Sequence, residues 1–370
     1  MTAADQASTW VEIDSSAIVS NVRALANHVG VRVMAVVKAN GYGHGAAAAA
    51  RAALRGGASW IGVARPEEGL DLREAGIDAP ILVFGLTPPG QLAEALQAGL
   101  SLTVWSREQI EAASAAASNT GQPAHLHLKV DTGMGRIGAA AEDAPALARL
   151  AASRTDIAWE AVYTHFARAD EPDPEPTRTQ ERVFRDVLEA LEASGVRPSL
   201  THAANSAAAI AHPSTRFDLV RAGLAIYGLH PSPSCRLPAG FRPALAWKSQ
   251  ISQLKSVPAG RGLSYGHAYV TRQEERIATV PVGYGDGFRR TEGNEVLIGG
   301  RRAPVVGRVC MDQLLVRLDG PDSARPGDEV ILIGSQGEER ISAEDVARRW
   351  GTINYEVTCA IAARVPRRMS

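Results

Sequence analysis

The chain has 370 residues, 45% of them hydrophobic and 21% charged, and a formal net charge of −1. That length exceeds one ordinary hydrophobic core and suits two domains, while the near-neutral charge argues against nucleic acid as a partner. No apolar run approaches the roughly 18 residues of a membrane-spanning helix. The opening MTAADQASTW lacks the basic and apolar regions of a signal peptide. Cys235, Cys310 and Cys359 have neither pairing nor metal-ligand spacing. These features lead us to expect a cytoplasmic protein whose cysteines are small core residues.

Eight apolar, strand-like runs follow in order: VRVMAVV (31–37), SWIGVA (59–64), PILVFG (80–85), SLTVW (101–105), HLHLKVD (125–131), WEAVYTHF (159–166), SLTHAAN (199–205) and DLVRAG (218–223). Helical segments separate them, including 66–75, 89–98 and 107–117, the last opened by a capping box of Ser106 and Gln109. Eight strand–helix units without a hairpin predict a (β/α)₈ TIM-like barrel in preference to an open doubly wound sheet. After a proline-rich connector, PSPSCRLPAGFRP, strand-like runs are divided by Gly, Pro and Asp turns, with one clear helix at 343–350. This predicts a mainly antiparallel β-strand C-terminal domain. The expected division is 1–232 for the barrel and 233–370 for the β domain, with residues before about 15 as candidates to pair with the latter.

Polar residues collect where the strands end, which in such a barrel is the active face. The first strand ends at Lys38 and runs into a glycine-rich loop, NGYGHG. The fifth ends at Lys129 and Asp131 before TGMGRIG with Arg136, the sixth at His165, and the seventh at Asn205 and Ser206. The eighth carries Arg221 into Gly223. In HLHLKVDT the polar His125, His127, Lys129 and Asp131 alternate with an apolar set, so the polar set is expected to face the barrel interior. For the two histidines a hydrogen-bonded core outweighs metal ligation, since no third ligand is evident. The loops after strands seven and eight often bind phosphate in such barrels. Ser206 supplies a hydroxyl there, and Gly223 permits close backbone approach. A lysine across the barrel mouth from a phosphate suggests covalently held pyridoxal phosphate. His44 has no role in this reading and defaults to a solvated loop residue.

These segments resemble the alanine racemase family, fold-type III pyridoxal phosphate enzymes, over nearly the whole chain. AVVKANGYGHG, LKVDTGMGRIG, THFA, HAANSAA, VRAGLAIYG, LSYGHAY, PVGYGDG, GRVCMDQ and TINYEV…RVPR match its signatures in order. Ala222 departs where many members have proline, which touches backbone rigidity and not chemistry.

The resemblance implies a cytoplasmic isomerase that interconverts L- and D-alanine with pyridoxal 5′-phosphate, supplying D-alanine for peptidoglycan. It implies a head-to-tail homodimer with shared active sites, no metal, and neither nucleic acid nor membrane as partner. Lys38 would serve as base on the D face and Tyr265 of the partner subunit on the L face, with Tyr265 touching His165 and His165 touching Arg221. Arg221 would face the pyridine nitrogen. Arg136 would bind the cofactor phenol oxygen and the substrate carboxylate, oriented by a carbamylated Lys129. Tyr42, Asn205, Ser206, Gly223, Leu224 and Tyr355 would hold the phosphate. Met311 would offer its N–H to the substrate carboxylate, while Tyr284 and Asp312 would line the entrance. The alternatives are a serine or broader racemase, a non-catalytic pyridoxal phosphate-homeostasis barrel, and a barrel decarboxylase. The last is disfavoured by arginine, not a carboxylate, at position 221.

Overall fold

Short Val-, Ile- and Leu-rich runs buried on both faces form parallel strands, because helices must cover them on the outside. In a computed structural model, which describes residues 7–319 and 324–370, these runs close a barrel. After β1 (Thr9–Ile13) come β2 (Arg32–Val36), β3 (Trp60–Val63), β4 (Ile81–Val83), β5 (Leu100–Val104), β6 (Ala124–Lys129), β7 (Ile157–Tyr163), β8 (Leu200–His202) and β9 (Leu219–Ala222). Strands β2 to β9 pair in parallel, each with the next, and β9 closes onto β2. This is the expected (β/α)₈ barrel. Met34, Leu82, Ala161, Leu200 and Leu219 fill its interior, with Trp60 and Phe84 packed against them. The helix Arg107–Thr120 begins as read from the sequence. Ser106 Oγ accepts from the Gln109 N–H at 3.4 Å, and Gln109 Oε1 accepts from the Ser106 N–H at 3.2 Å.

The register of β7 against β6 shifts between Leu126 and His127: Trp159 lies opposite Leu126 and Ala161 opposite His127. Glu160 is the extra residue, and such a bulge re-aims a side chain.

The chain divides into two compact units, Ala17–Tyr42 with Ala46–Arg242, and Pro243–Ser370 with Gly43–Gly45 and the described residues before 17. The second unit is mostly antiparallel sheet, as expected. The run ALAWKSQISQLKSV is not one strand there. It breaks at Ile251 and Ser252 into β10 (Leu245–Gln250) and β11 (Gln253–Val257). The Ile251 N–H donates to the Asp328 carbonyl and the Ser252 N–H to the Thr279 carbonyl, so the chain changes neighbours within two residues. β1 sits between β10, antiparallel, and the C-terminal strand Arg367–Met369, parallel. Ala343–Trp350 forms the helix that was read, capped by Ser342 and Asp345. A second helix, Asn354–Cys359, was not foreseen; six residues are too few for a periodic signal.

Candidate active site

Lys38 is separated from β2 by one residue and stands just before one left-handed turn. Ala39, Asn40, Gly41 and Tyr42 have φ of 52°, 52°, 63° and 54°. For non-glycine residues this conformation costs about 1–2 kcal/mol each. The turn is therefore not the work of glycines alone, and its surroundings must hold it. Glu68 Oε1 accepts from the Ala39 N–H at 2.6 Å, and Asn40 Oδ1 accepts from the Ala46 N–H at 3.0 Å. Glu68 Oε2 also accepts from the Ala64 N–H at 2.7 Å, tying the turn to the end of β3.

On β6 the alternation holds for Leu126, Leu128 and Val130, which are fully buried, and for His127 and Lys129, which are buried inside. His125 is only half-buried. Asp131 does not serve the barrel interior. Its carboxylate accepts from the N–H groups of Gly133, Met134 and Gly135 at 2.9 Å, shaping the loop that carries Arg136. Burial alone would raise the Asp131 carboxyl, but these amides outweigh it and hold it below its usual range. Burial, with the Arg136 and Arg221 guanidiniums beside it, pushes the Lys129 ammonium down to about 7.

That shift fixes a pH dependence. Below about pH 7 the ammonium is charged folded or unfolded, and folding carries the whole penalty. Between about 7 and 10.5 only the unfolded chain binds the proton, so stability rises with pH through that window. Lys129→Met should remove the slope in CO₂-free buffer, with the variant about 2–4 kcal/mol more stable at acidic pH and the two converging near pH 10. Denaturant midpoints across the pH series check this.

Arg221, almost wholly buried at the end of β9, is held on several sides. Its guanidinium donates to the carbonyls of Thr164 and Ala203 at 2.8 Å, to His202 Nδ1 at 2.8 Å and to His165 Nδ1 at 3.1 Å. It also lies over the Tyr163 ring, 5.1 Å from its centroid. Burial lowers its pKa to about 10, leaving it charged at neutral pH. Burial, then the Arg221 and Lys129 charges, holds His165 well below its usual pKa, so this imidazole is neutral. Because arginine can only donate, His165 Nδ1 accepts and its proton sits on Nε2.

Beyond strands β8 and β9 the loops bring several polar groups together. Asn205 caps the Ser206–Ala211 helix through the Ala208 N–H at 2.9 Å. Ser206 Oγ accepts from the N–H groups of Gly223 at 3.0 Å and Ala225 at 3.3 Å, which directs its own hydrogen outward. Leu224 begins the following 3₁₀ turn. A Cβ on Gly223 would sit 2.4 Å from Tyr42 Oη. The Tyr42 ring stacks obliquely on Tyr227 at 5.3 Å. Lys38, Lys129, Arg136 and Arg221 are all cationic positions of this barrel unit, an arrangement that favours anionic groups.

The remaining site candidates lie on the β unit. Tyr265 is 68% exposed on a loop where Ser264, Gly266 and His267 have φ of 62°, 68° and 46°. Ser264 Oγ donates to the Arg308 carbonyl at 2.6 Å. The N–H groups of Tyr284 and Gly285 donate to the carbonyls of Cys310 and Met311 at 3.0 and 2.9 Å. Arg364 bridges Asp286 and Asp312 at 2.7 and 2.8 Å. The segments LSYGHAY, PVGYGDG and GRVCMDQ thus form one surface that presents Tyr265, Tyr284 and Met311 outward. Tyr355 lies half-buried on the Asn354–Cys359 helix. His44 is not a solvated residue; it is fully buried. Its loop is drawn in where Gly43 packs against the Thr358 carbonyl and Arg367 Nε donates to the Gly43 carbonyl at 3.1 Å.

Sequence reading missed Glu160, His202 and Tyr163. A charged residue inside the apolar run WEAVY was the available signal for the first. Among the described residues no group of three or more His, Cys, Asp or Glu is arranged to hold a metal ion.

Comparison with known proteins adds a second line of support. Residues 13–231 match the family model described as alanine racemase, N-terminal domain, and residues 244–369 that described as alanine racemase, C-terminal domain. The chain is 48% identical over 362 residues to an alanine racemase of Symbiobacterium thermophilum, covering 97% of this chain and 96% of that one. It superposes on the crystal structure of alanine racemase from E. faecalis with a TM-score of 0.94 at 41% identity, covering 100% of both chains. For the alanine racemase of D-cycloserine producing Streptomyces lavendulae the TM-score is 0.93 at 42% identity, covering 98% of this chain and 97% of that one.

Proposed function

The chain belongs to the alanine racemase family, a class of isomerases, and from that premise we propose that it interconverts L- and D-alanine with pyridoxal 5′-phosphate in a shared-site homodimer. One observation carries the reading. Lys38, the Arg221 guanidinium and the Tyr42–Ser206–Gly223 cluster all stand at the C-terminal ends of one barrel's strands.

The residues present fit that cofactor. Tyr42 leaves no room for a Cβ at Gly223, and the Ser206 oxygen accepts from two backbone N–H groups, so its own hydrogen is left to donate to an anion. Tyr42, Asn205, Ser206, the N–H groups of Gly223 and Leu224, and Tyr355 would hold the phosphate. Lys38 would hold the cofactor covalently, and Arg221 would donate to the ring nitrogen. When bound, the cofactor supplies an electron-withdrawing ring that acidifies the substrate Cα–H.

The chain's own groups then handle the proton. Lys38 takes or returns it on the D face, and Tyr265 of the partner subunit on the L face. A group on each face would let one remove the proton while the other returns it, which is what inversion of the centre requires. Neutral His165 presents its Nε2–H to the partner's Tyr265, steadying the phenolate. Arg136 and the N–H of Met311 of the partner subunit would bind the substrate carboxylate. The exposure of Tyr265, Tyr284 and Met311 on a single chain suits residues that serve a second copy, and Tyr284 and Asp312 would line the entrance. With its pKa lowered to about 7, Lys129 has an appreciable amine fraction near neutrality, and this amine would add CO₂, releasing a proton, to give a carbamate that pairs with Arg136. Production of D-alanine for peptidoglycan in the cytoplasm is the role we assign.

The test is D-alanine formation from L-alanine by pyridoxal phosphate-loaded protein, run beside L-serine. Turnover of alanine ahead of serine is expected; turnover of neither, or of serine first, overturns the reading. Mixing inactive Lys38→Ala and Tyr265→Phe chains should restore about a quarter of the sites, since random pairing makes half the dimers mixed and each mixed dimer has one intact site. No recovery would refute site sharing. Gly223→Ala, which displaces the Tyr42 phenol, should weaken cofactor binding about tenfold or more by equilibrium dialysis, since 1.4 kcal/mol corresponds to a factor of ten.

A further inference from the structure

The barrel interior below the site is not uniformly apolar. A single file of hydrogen bonds leaves Arg221 and runs toward the opposite end of the barrel. Arg221 Nη1 lies 2.8 Å from His202 Nδ1, and His202 Nε2 lies 3.1 Å from His127 Nδ1. His127 Nε2 lies 3.1 Å from Glu160 Oε2, and Glu160 Oε1 lies 2.8 Å from His125 Nδ1. Ser101 Oγ donates to Glu160 Oε2 at 2.8 Å. His127 and His202 have no exposed surface, whereas the side chains of His125 and Glu160 are 36% and 24% exposed. His125 precedes Lys129 by four residues on β6, roughly 13 Å along the strand.

The two ends of this file dictate its direction. Arginine has no acceptor, so His202 Nδ1 must accept. A carboxylate has no donor, so His127 Nε2 must carry a proton. With both imidazoles neutral, each has one N–H, and the two demands agree only if both protons sit on Nε2. The middle link then closes as His202 Nε2–H to His127 Nδ1. Burial holds both histidines below their usual pKa, which keeps them neutral. Burial alone would raise the Glu160 carboxyl, but its donors His125, His127 and Ser101 outweigh that and keep it ionised. The β-bulge that makes Glu160 the extra residue of β7 aims it into this file.

We propose that Glu160 is a positioning residue of the active site, which fixes the Nε2–H tautomers of His127 and His202 and thereby holds Arg221 oriented as a donor toward the site. Without an acceptor at position 160, the buried His127 Nε2–H is left unpaired, and an unpaired buried donor costs about 1–3 kcal/mol. Moving that proton to Nδ1 relieves it, forces His202 onto its Nδ1–H form and sets two donors against each other at Arg221. The guanidinium must then shift. The catalytic consequence rests on the racemase reading; the tautomers do not.

The experiment uses full-length, pyridoxal phosphate-loaded chains labelled with ¹⁵N-histidine, with signals assigned by single substitutions. Wild type should show both His127 and His202 protonated on Nε2. Glu160→Met should invert both tautomers and lower kcat for alanine about tenfold or more with KM within about threefold, as loss of an orienting partner commonly does. Glu160→Gln should restore wild-type tautomers and most of kcat, since its carbonyl accepts from His127 and its amide turns to His125. A wild-type spectrum with either proton on Nδ1 overturns the proposal, whether or not Glu160→Met folds. So does a Glu160→Met chain whose kcat falls with unchanged tautomers. Inverted tautomers in a chain that racemises nothing would leave the tautomer relay standing, and sink the proposed function and the catalytic role with it.

Discussion

Replacing Lys38 with alanine is expected to cut racemisation in both directions about 10⁴-fold or more, because in the proposed mechanism this one residue would supply both the covalent hold on the cofactor and a proton-transferring base. The visible absorbance of lysine-bound pyridoxal phosphate should vanish with it. The fold should survive. Lys38 precedes the left-handed turn and is outside it, and the contacts that hold Ala39 and Asn40 come from Glu68 and from the Asn40 side chain. A melting temperature within a few degrees of wild type would separate lost chemistry from lost structure. Added methylamine should recover part of the exchange at the D face by standing in for the missing amine. Activity above about one per cent of wild type would remove Lys38 from the mechanism.

Tyr265→Phe deletes one hydroxyl from a side chain that is 68% exposed on its own chain. A change at such a surface position ordinarily moves stability by less than about 0.5 kcal/mol. Here we expect racemisation to fall about 10²- to 10⁴-fold, the usual contribution of a positioned acid–base group. The loss should be lopsided. In deuterated water, exchange at Cα should collapse when L-alanine is the substrate and decline much less from D-alanine, since Lys38 still reaches that face. Equal losses from the two enantiomers would refute the division of faces. His165→Leu should show the same lopsidedness in weaker form, because it withdraws the Nε2–H donor and leaves both proton-transferring groups in place.

The barrel was legible because buried parallel strands are written as short apolar runs and because helix starts carry local chemistry such as Ser106 and Gln109. The inward face of β6 was legible from strict alternation, as far as His127 and Lys129. Alternation ended where the strand did, so Asp131 was assigned to the interior when it in fact captures three amides of its own loop. A register shift of one residue has no compositional trace, which hid Glu160. His202 was on a recognised strand, but its partners are 19 and 75 residues away along the chain, and only the closed barrel brings them together. The segment after Lys38 reads as a glycine-rich loop, although the non-glycine Ala39, Asn40 and Tyr42 adopt the left-handed conformation too. Their surroundings impose it, and surroundings are not local. His44 fails for the same reason: its burial depends on residues more than 300 positions later.

Thr9–Ile13 is synthesised long before either of its neighbours. Leu245–Gln250 emerges more than 230 residues later, and Arg367–Met369 more than 350 residues later. At ordinary translation speeds the strand waits roughly 10–50 s with its backbone unpaired. A chain that lacks Arg367–Met369 leaves one side of it as a bare edge, open to pairing with a neighbouring nascent chain. Trp10, whose ring lies 4.2 Å from the Arg368 guanidinium, is placed to report the moment of closure by its fluorescence. The position of Thr9–Ile13 inside the sheet is thereby completed only when Arg367–Met369 arrives beside it.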